Sequence, residues 1–411
     1  MIKIIDSIMG SGKTSHIIQV IKDNPNGKYI YITPYLAEVQ RLQDNCPGFV
    51  EPAANKQTGE TKLYDLNRLL EQGKNIASTH ALFKLTDKYT LQALQKHNYT
   101  LIMDEVLEVV TTEGFKKDDL PSILKLELAH IDKDTGYLVW DKEDYSGAYD
   151  RVRKLCKTKS VAVVDNKVLV WTFPSIIFNY FKETYVCTYM FNVSVFKYYL
   201  DLNELTYDKY SVVKDNDSYC LSDYNPNEDK SNFKINIYTG KKNDIGTYTK
   251  EGRKGFSLLC GKWFEGANGD KLKELKNNMV TYFKHDLNNS PSDNNLWTCV
   301  LGNNDKFKKA LSASPYTKGF APCNCRATNE YRNKTAVAYI PNRFMDVYTQ
   351  KFFQTNGISI TRDDNRHWGL SEMLQFIWRS AIRDSKEINL YVPSMRMRHA
   401  LQEWLGVPKA D

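Results

Sequence analysis

At 411 residues, 42% hydrophobic and 26% charged, the chain has the composition of a globular protein with room for two or three domains, which excludes a disordered polypeptide and a single small core. No apolar run approaches the roughly 20 residues that cross a bilayer, and the opening Met1-Ile2-Lys3-Ile4-Ile5-Asp6 lacks the regions of a signal peptide, so a cytoplasmic protein with no membrane partner is expected. The net charge is +7, but residues 1–250 carry 32 basic and 33 acidic side chains whereas residues 251–411 carry 24 and 16; a phosphate backbone is the commonest partner for such a C-terminal excess, with a solvated basic face as the alternative.

Ile2 to Asp6 reads as a short apolar strand, Ser7-Ile8-Met9-Gly10-Ser11-Gly12 as a turn, and the next residues, with Ile17, Ile18 and Ile21, as a helix. Tyr29 to Thr33 is a second strand ended by Pro34 and followed by a helical stretch from Leu36 to Leu42; Ile76-Ala77-Ser78 and Tyr99 to Met103 are a third and a fourth. Strands alternating with helices predict a parallel sheet covered on both faces. From 107 to 180 the pattern gives way to charged and aromatic segments, among them Tyr137-Leu138-Val139-Trp140 and Lys167 to Trp171, expected as an inserted β-rich segment before the sheet resumes near Tyr185-Val186-Cys187. Residues 1–195 are therefore read as an N-terminal lobe. The polar stretch 196–250, with turns at Asp215 to Ser218 and Asn225 to Asp229, is expected as a connecting segment.

A second α/β lobe is expected over 251–411, with strands at Phe256 to Cys260, Ala336 to Ile340 and Ile388 to Val392, and helices at Lys271 to Val280 and Ser371 to Arg383. The fold class is thus α/β with two parallel-sheet lobes. The eight cysteines include no C-x-x-C pair, and Cys323-Asn324-Cys325 has no partner pair with which to close a zinc site, so reduced thiols are expected.

The chemistry is concentrated in Met9-Gly10-Ser11-Gly12-Lys13-Thr14-Ser15. A loop that wraps a triphosphate must aim several backbone N–H groups at one anion, which favours glycine where the dihedrals are unusual. Lys13 would reach the outer phosphates, and Thr14 would offer its hydroxyl to Mg²⁺ at the positive end of the following helix. The common pattern G-x-x-x-x-G-K-[ST] is met except that Ser7 stands in place of its first glycine. Its usual partner is an acid at a neighbouring strand tip, and Leu101-Ile102-Met103-Asp104-Glu105 supplies two: Asp104 to hold Mg²⁺ and Glu105 to activate the attacking water. The competing readings are an ordinary surface turn and a solvated acidic strand end.

Further along, Gln375, Arg379 and Arg383 are spaced by four, which places all three on one helical face, with guanidinium groups able to converge on an anion; an exposed charged helix face is the alternative. Thr33, Thr79, Arg326 and Thr328 fall at expected strand ends or loops, where they would meet backbone phosphates or simply cap turns. Arg396 and Arg398 would add phosphate contacts or solvate a helix.

These segments resemble the motifs of superfamily 2 helicases, in particular the compact phage-type DEAD/DEAH-like ones. The phosphate loop is similar to motif I, Thr33-Pro34-Tyr35 to motif Ia, Ser78-Thr79-His80-Ala81 to a further strand-end motif, and Asp104-Glu105-Val106-Leu107 to motif II. Cys187-Thr188-Tyr189-Met190 stands in the place of motif III, Arg326-Ala327-Thr328-Asn329 resembles motif V, and Gln375 to Arg383 resembles motif VI with the arginines four apart rather than three. The resemblance implies two RecA-like lobes, ATP and Mg²⁺ as cofactors, catalytic roles for Lys13, Asp104, Glu105, Gln375, Arg379 and Arg383, and nucleic-acid contacts from Thr33, Pro34, Tyr35, Thr79, His80, Arg326, Thr328 and Asn329. It also implies single-stranded or forked DNA ahead of RNA as the partner, with replication or recombination proteins nearby. A terminase-like or remodelling ATPase, and a nucleotide-dependent binding switch, stay open as other classes.

Overall fold

The computed structural model describes residues 1–112, 114–248, 255–288, 290–323 and 330–409. It divides into two units, Met1–Pro226 with Met345–Thr361, and Asn227–Phe344 with Arg362–Asp411. Each is built on its own sheet.

In the first unit β1 (Ile2–Asp6), β2 (Lys28–Thr33), β3 (Phe49–Val50), β4 (Asn75–Thr79) and β5 (Tyr99–Asp104) are interleaved with helices, as the sequence pattern predicts. The central strands are almost wholly buried and nearly continuously apolar, as parallel strands covered on both faces must be. Between β5 and the next strand of this sheet lies an insertion: β6 (Val110–Thr111), β7 (Ala129–Ile131), β8 (Leu138–Trp140), β9 (Val161–Val164) and β10 (Val168–Thr172), forming an antiparallel sheet in the order β6-β10-β9 and a β7-β8 hairpin. Leu120, Ile123, Leu138, Val152, Val161 and Leu169 give it a core of its own.

The main sheet resumes with β11 (Glu183–Thr188) and continues into β12 (Tyr207–Asp215) and β13 (Ser218–Asp223), giving the order β13-β12-β1-β11-β5-β2-β4-β3. Here the expectation of a connector over 196–250 is corrected. β12 pairs parallel with β1 from Ile2↔Tyr207 to Ile5↔Tyr210, and β13 returns antiparallel to it. The stretch looks like a linker because an edge hairpin buries only part of each strand and so carries polar residues in alternation; its turn at Asn216, with φ 53°, is where a turn was expected. Helix Val347–Thr355, far along the chain, packs on β9 and β10, with the Phe353 ring 5.8 Å from Tyr198 and Lys351 paired to Asp165.

The second unit starts before residue 251, with β14 (Ile235–Ile237) in a four-stranded parallel sheet of order β14-β17-β16-β15 with β15 (Asn295–Thr298), β16 (Ala336–Tyr339) and β17 (Ile388–Tyr391). The strand expected at Phe256 to Cys260 is instead a 3-10 turn over Gly255–Ser257 followed by Leu259 at φ 63°. Its carbonyls are satisfied by a side chain rather than a sheet: Asn342 Nδ2 donates to Phe256 O at 3.0 Å and Leu258 O at 2.9 Å. Among the described residues, no helix is long and apolar enough to cross a membrane.

Candidate nucleotide site

In the first unit β1, β11, β5, β2 and β4 all run parallel, so their carboxyl ends share one edge, the edge where open α/β sheets bind ligands. The residues singled out between 7 and 105 come together there. After β1 the chain turns through Gly10 at φ 83° and Gly12 at φ 97°, both in the left-handed region that favours glycine, and enters helix Lys13–Asp23 with Thr14 and Ser15 in its first turn. Met9, Gly10 and Ser11 form the outer loop, closed by Ser11 N–H donating to Ile8 O at 3.3 Å. The Ser11 hydroxyl is buried with no protein hydrogen-bond partner, an unused donor inside the loop.

Lys13 Nζ donates to the loop carbonyls of Ser7, at 2.5 Å, and Ile8, at 3.0 Å. The Thr14 hydroxyl faces Asp104 at the tip of β5, 3.3 Å from Oδ1 and 3.2 Å from Oδ2. These two oxygen donors and the unused Ser11 hydroxyl suit a magnesium-bound polyphosphate, since Mg²⁺ is usually taken by one or two protein carboxylates with the substrate's phosphates completing the shell. Among the described residues no group of three His, Cys, Asp and Glu side chains stands ready to hold a metal by itself. Glu105 follows directly at φ 73°, its N–H donating to Cys187 O at 3.1 Å, a positive φ uncommon for a non-glycine residue.

Three neighbours of this cluster are not legible as site residues. Tyr31, buried in β2, donates its hydroxyl to Asp104 Oδ2 at 2.5 Å. Burial holds its phenol well above the usual value and the adjacent carboxylate adds to this, so Tyr31 stays a donor. The one available hint is a tyrosine inside a fully buried strand, where its hydroxyl needs a partner. Ser7 is fully buried and its hydroxyl accepts Val212 N–H at 2.9 Å, so the residue replacing the usual glycine ties the loop to β12. Asp6, also buried, accepts Phe191 N–H at 3.1 Å; burial raises its carboxyl pKa, with that N–H and Lys13 pulling the other way. At Cys187 in β11, burial and then Asp104 push the thiol up, which keeps it neutral.

Thr33 and Thr79 are partners across β2 and β4 on the same edge. Thr33 is buried, and Thr79 caps the short helix His80–Phe83 by accepting Leu82 N–H at 3.4 Å, while Pro34 and Tyr35 lead into helix Leu36–Asn45.

The chain is 41% identical over 421 residues, covering 98% of both sequences, to the "SPbeta prophage-derived uncharacterized protein YonV" of Bacillus subtilis (strain 168). It belongs to the YonV family. The family model described as the YonV middle domain matches residues 110–171, the inserted β-rich segment, and that of the YonV C-terminal Rossmann-like domain matches 229–405. The whole structure is similar to a solved XPD helicase, with a TM-score of 0.50 and 11% identity over 99% of this chain and 95% of that one. At that identity the likeness shows the fold alone.

In the YonV C-terminal domain the expected helix through Ser371 to Arg383 is corrected: helix Arg362–Ile377 stops short. Ser380 donates its hydroxyl to Ile377 O at 2.7 Å, and Ala381 N–H is taken by Lys334 O at 2.8 Å, which draws the chain out of the helix. Gln375 therefore sits on the helix, Arg379 is buried in the turn, and Arg383 lies in a 3-10 turn over Ala381–Asp384, so no single helical face carries all three. Arg326, Thr328 and Asn329 lie outside the described residues.

Arg396 and Arg398 are buried and hold the fold. Arg396 donates to Asn342 Oδ1 (3.0 Å), Arg343 O (2.7 Å), Asn365 O (2.9 Å) and Asn365 Oδ1 (3.2 Å), with its guanidinium 4.0 Å from the Phe344 ring centre. Burial lowers its pKa to about 10, which leaves it charged at neutral pH. Arg398 donates to Val392 O at 3.0 Å and Pro393 O at 3.2 Å.

Proposed function

We propose that the protein hydrolyses ATP at the carboxyl edge of its first sheet and couples turnover to movement along, or separation of, single-stranded or forked DNA, as a compact phage-type helicase of the DEAD/DEAH kind. The observation that carries this reading is the meeting of Thr14 and Asp104, which joins a glycine-turned anion loop to an acid from a strand two places away in the sheet. Thr14 and Asp104 would hold a magnesium ion, which when bound would neutralise phosphate charge. Lys13 leaves the Ser7 and Ile8 carbonyls for those phosphates. Glu105 orients and deprotonates the attacking water, a function that a nucleotide-binding switch does not need. Gln375, Arg379 and Arg383 are the second unit's candidates to answer phosphate charge, and Arg383, not buried as Arg379 is, is the better arginine finger.

Thr33, Pro34, Tyr35, Thr79 and His80 are assigned to backbone-phosphate contacts, which position a strand without reading its sequence. The test is ATP hydrolysis by the full chain with no polymer, single-stranded DNA, forked duplex and RNA, with strand displacement measured on the fork. Stimulation by DNA, loss of turnover in Lys13→Ala with the circular-dichroism spectrum intact, and displacement of the fork are the expected results. Polymer-independent turnover would remove the motor, and stimulation without displacement would favour a remodelling ATPase.

A further inference from the structure

The hairpin β12-β13 fastens to the phosphate loop and its helix by four contacts. Val212 N–H reaches the Ser7 hydroxyl at 2.9 Å; His16 donates from Nδ1 to Tyr219 O at 2.7 Å; Tyr219 N–H donates to Gln19 Oε1 at 3.2 Å; and the Tyr219 ring lies against Gly12, where a Cβ would fall 2.1 Å from ring atom Cε1. The backbone of Tyr219 is thus gripped on both sides, and a half-buried aromatic ring is held at the flank of the loop. A hairpin needed only to close the sheet edge has no reason to press its ring onto Gly12, at the cap of the loop helix, where a side chain is missing.

Direction follows from the sheet order. Asp104 lies on the β5 side of β1 and the hairpin on the other. With the metal-bearing outer phosphates drawn towards Asp104, the nucleoside end of a bound triphosphate extends the opposite way, towards β13. We infer that Tyr219 is a platform for the nucleobase, stacking on it without reading its edge, so that the site takes nucleoside triphosphates with little preference among their bases. This rests on the phosphate-loop reading above. An aromatic face accepts any base because every base has a π-face.

Calorimetric titration of the full chain with Mg-ATP, Mg-GTP and Mg-tripolyphosphate separates the possibilities. Tyr219→Ala is expected to weaken ATP and GTP by comparable factors, roughly 5–150-fold, while leaving tripolyphosphate unchanged; Tyr219→Phe, which keeps the ring, restores both nucleotides. Equal losses for tripolyphosphate and nucleotides would show that the ring only braces the loop, and unchanged nucleotide affinity would show that it meets nothing; either overturns the platform while leaving the loop assignment standing. A wild-type chain that binds none of the three ligands overturns both.

Discussion

The two units hold their cations in opposite ways. Lys13, at the partly open carboxyl edge of the first sheet, rests on two carbonyls of its own loop, partners that a phosphate can replace without opening the fold. Arg396 and Arg398 in the second unit are inside it, and their guanidinium groups close hydrogen bonds that the surrounding backbone would otherwise lack. A positive charge in a sequence is therefore an anion site only where its partners are exchangeable; the excess of basic residues in 251–411 includes arginines no ligand can reach. Substitutions at the first sheet's edge should cost activity with little stability, and those at the buried arginines the reverse.

Glu105→Gln tests this contrast most severely. Loss of a general base costs about 10²–10⁴-fold in turnover, and Glu105→Gln is expected to show that loss while binding Mg-ATP and unfolding as the wild type does. Parallel loss of binding would make Glu105 a structural or ligand-holding group. In the opposite direction, Arg396→Ala leaves the Asn365 and Arg343 carbonyls without their donor and is expected to lower the stability of the second unit by about 3 kcal/mol, read as a shifted denaturation midpoint, with ATP affinity unchanged. A stable variant with impaired DNA binding would move Arg396 from the fold to the ligand.

Tyr31→Phe sharpens the distinction within the first unit, because Tyr31 is as buried as Arg396 yet its hydroxyl points at Asp104. Groups that orient a metal ligand typically contribute 10–100-fold in metal affinity, so Tyr31→Phe should raise the Mg²⁺ concentration needed for nucleotide binding within that range. No change in the Mg²⁺ titration would reduce Tyr31 to packing. Ser7→Gly restores the common loop residue but removes the acceptor of Val212 N–H, and is expected to cost about 1 kcal/mol, seen as faster amide exchange in β12.

The loop, the strands feeding it and Asp104-Glu105 are legible because local signals suffice: an apolar run, glycines at the turn, a lysine and a threonine, then a second apolar run ending in acids. What stays hidden depends on partners distant in sequence. Ser7 makes sense only beside Val212 and Tyr31 only beside Asp104, contacts that no local window contains. The hairpin reads as a linker because edge strands alternate in polarity, and helix Val347–Thr355 gives no sign of belonging with β9 and β10. The end of helix Arg362–Ile377 is set by Ser380 and by Lys334, 47 residues earlier than Ala381, so regular spacing of Gln375, Arg379 and Arg383 is not enough to place them on one face.

The smallest expected effect belongs to a charge of the second unit that stays in water. Glu403 meets Arg366 through two bonds, at 2.9 and 3.0 Å, and Lys409 at 3.0 Å. Its carboxyl is drawn down to about 2, chiefly by the hydrogen bond from Arg366. A carboxyl pKa lower in the folded than in the unfolded chain stabilises fully above the unfolded value, near 4.5, and that contribution fades as pH falls towards 2. Because Glu403 is nearly half exposed, solvent screens the pair and Glu403→Gln is expected to cost under about 1 kcal/mol at neutral pH. The gap between the two denaturation curves should close as the pH is lowered through that window and shrink in high salt. A loss at neutral pH comparable to that of Arg396→Ala would mean that exposure does not separate the second unit's structural charges from its dispensable ones.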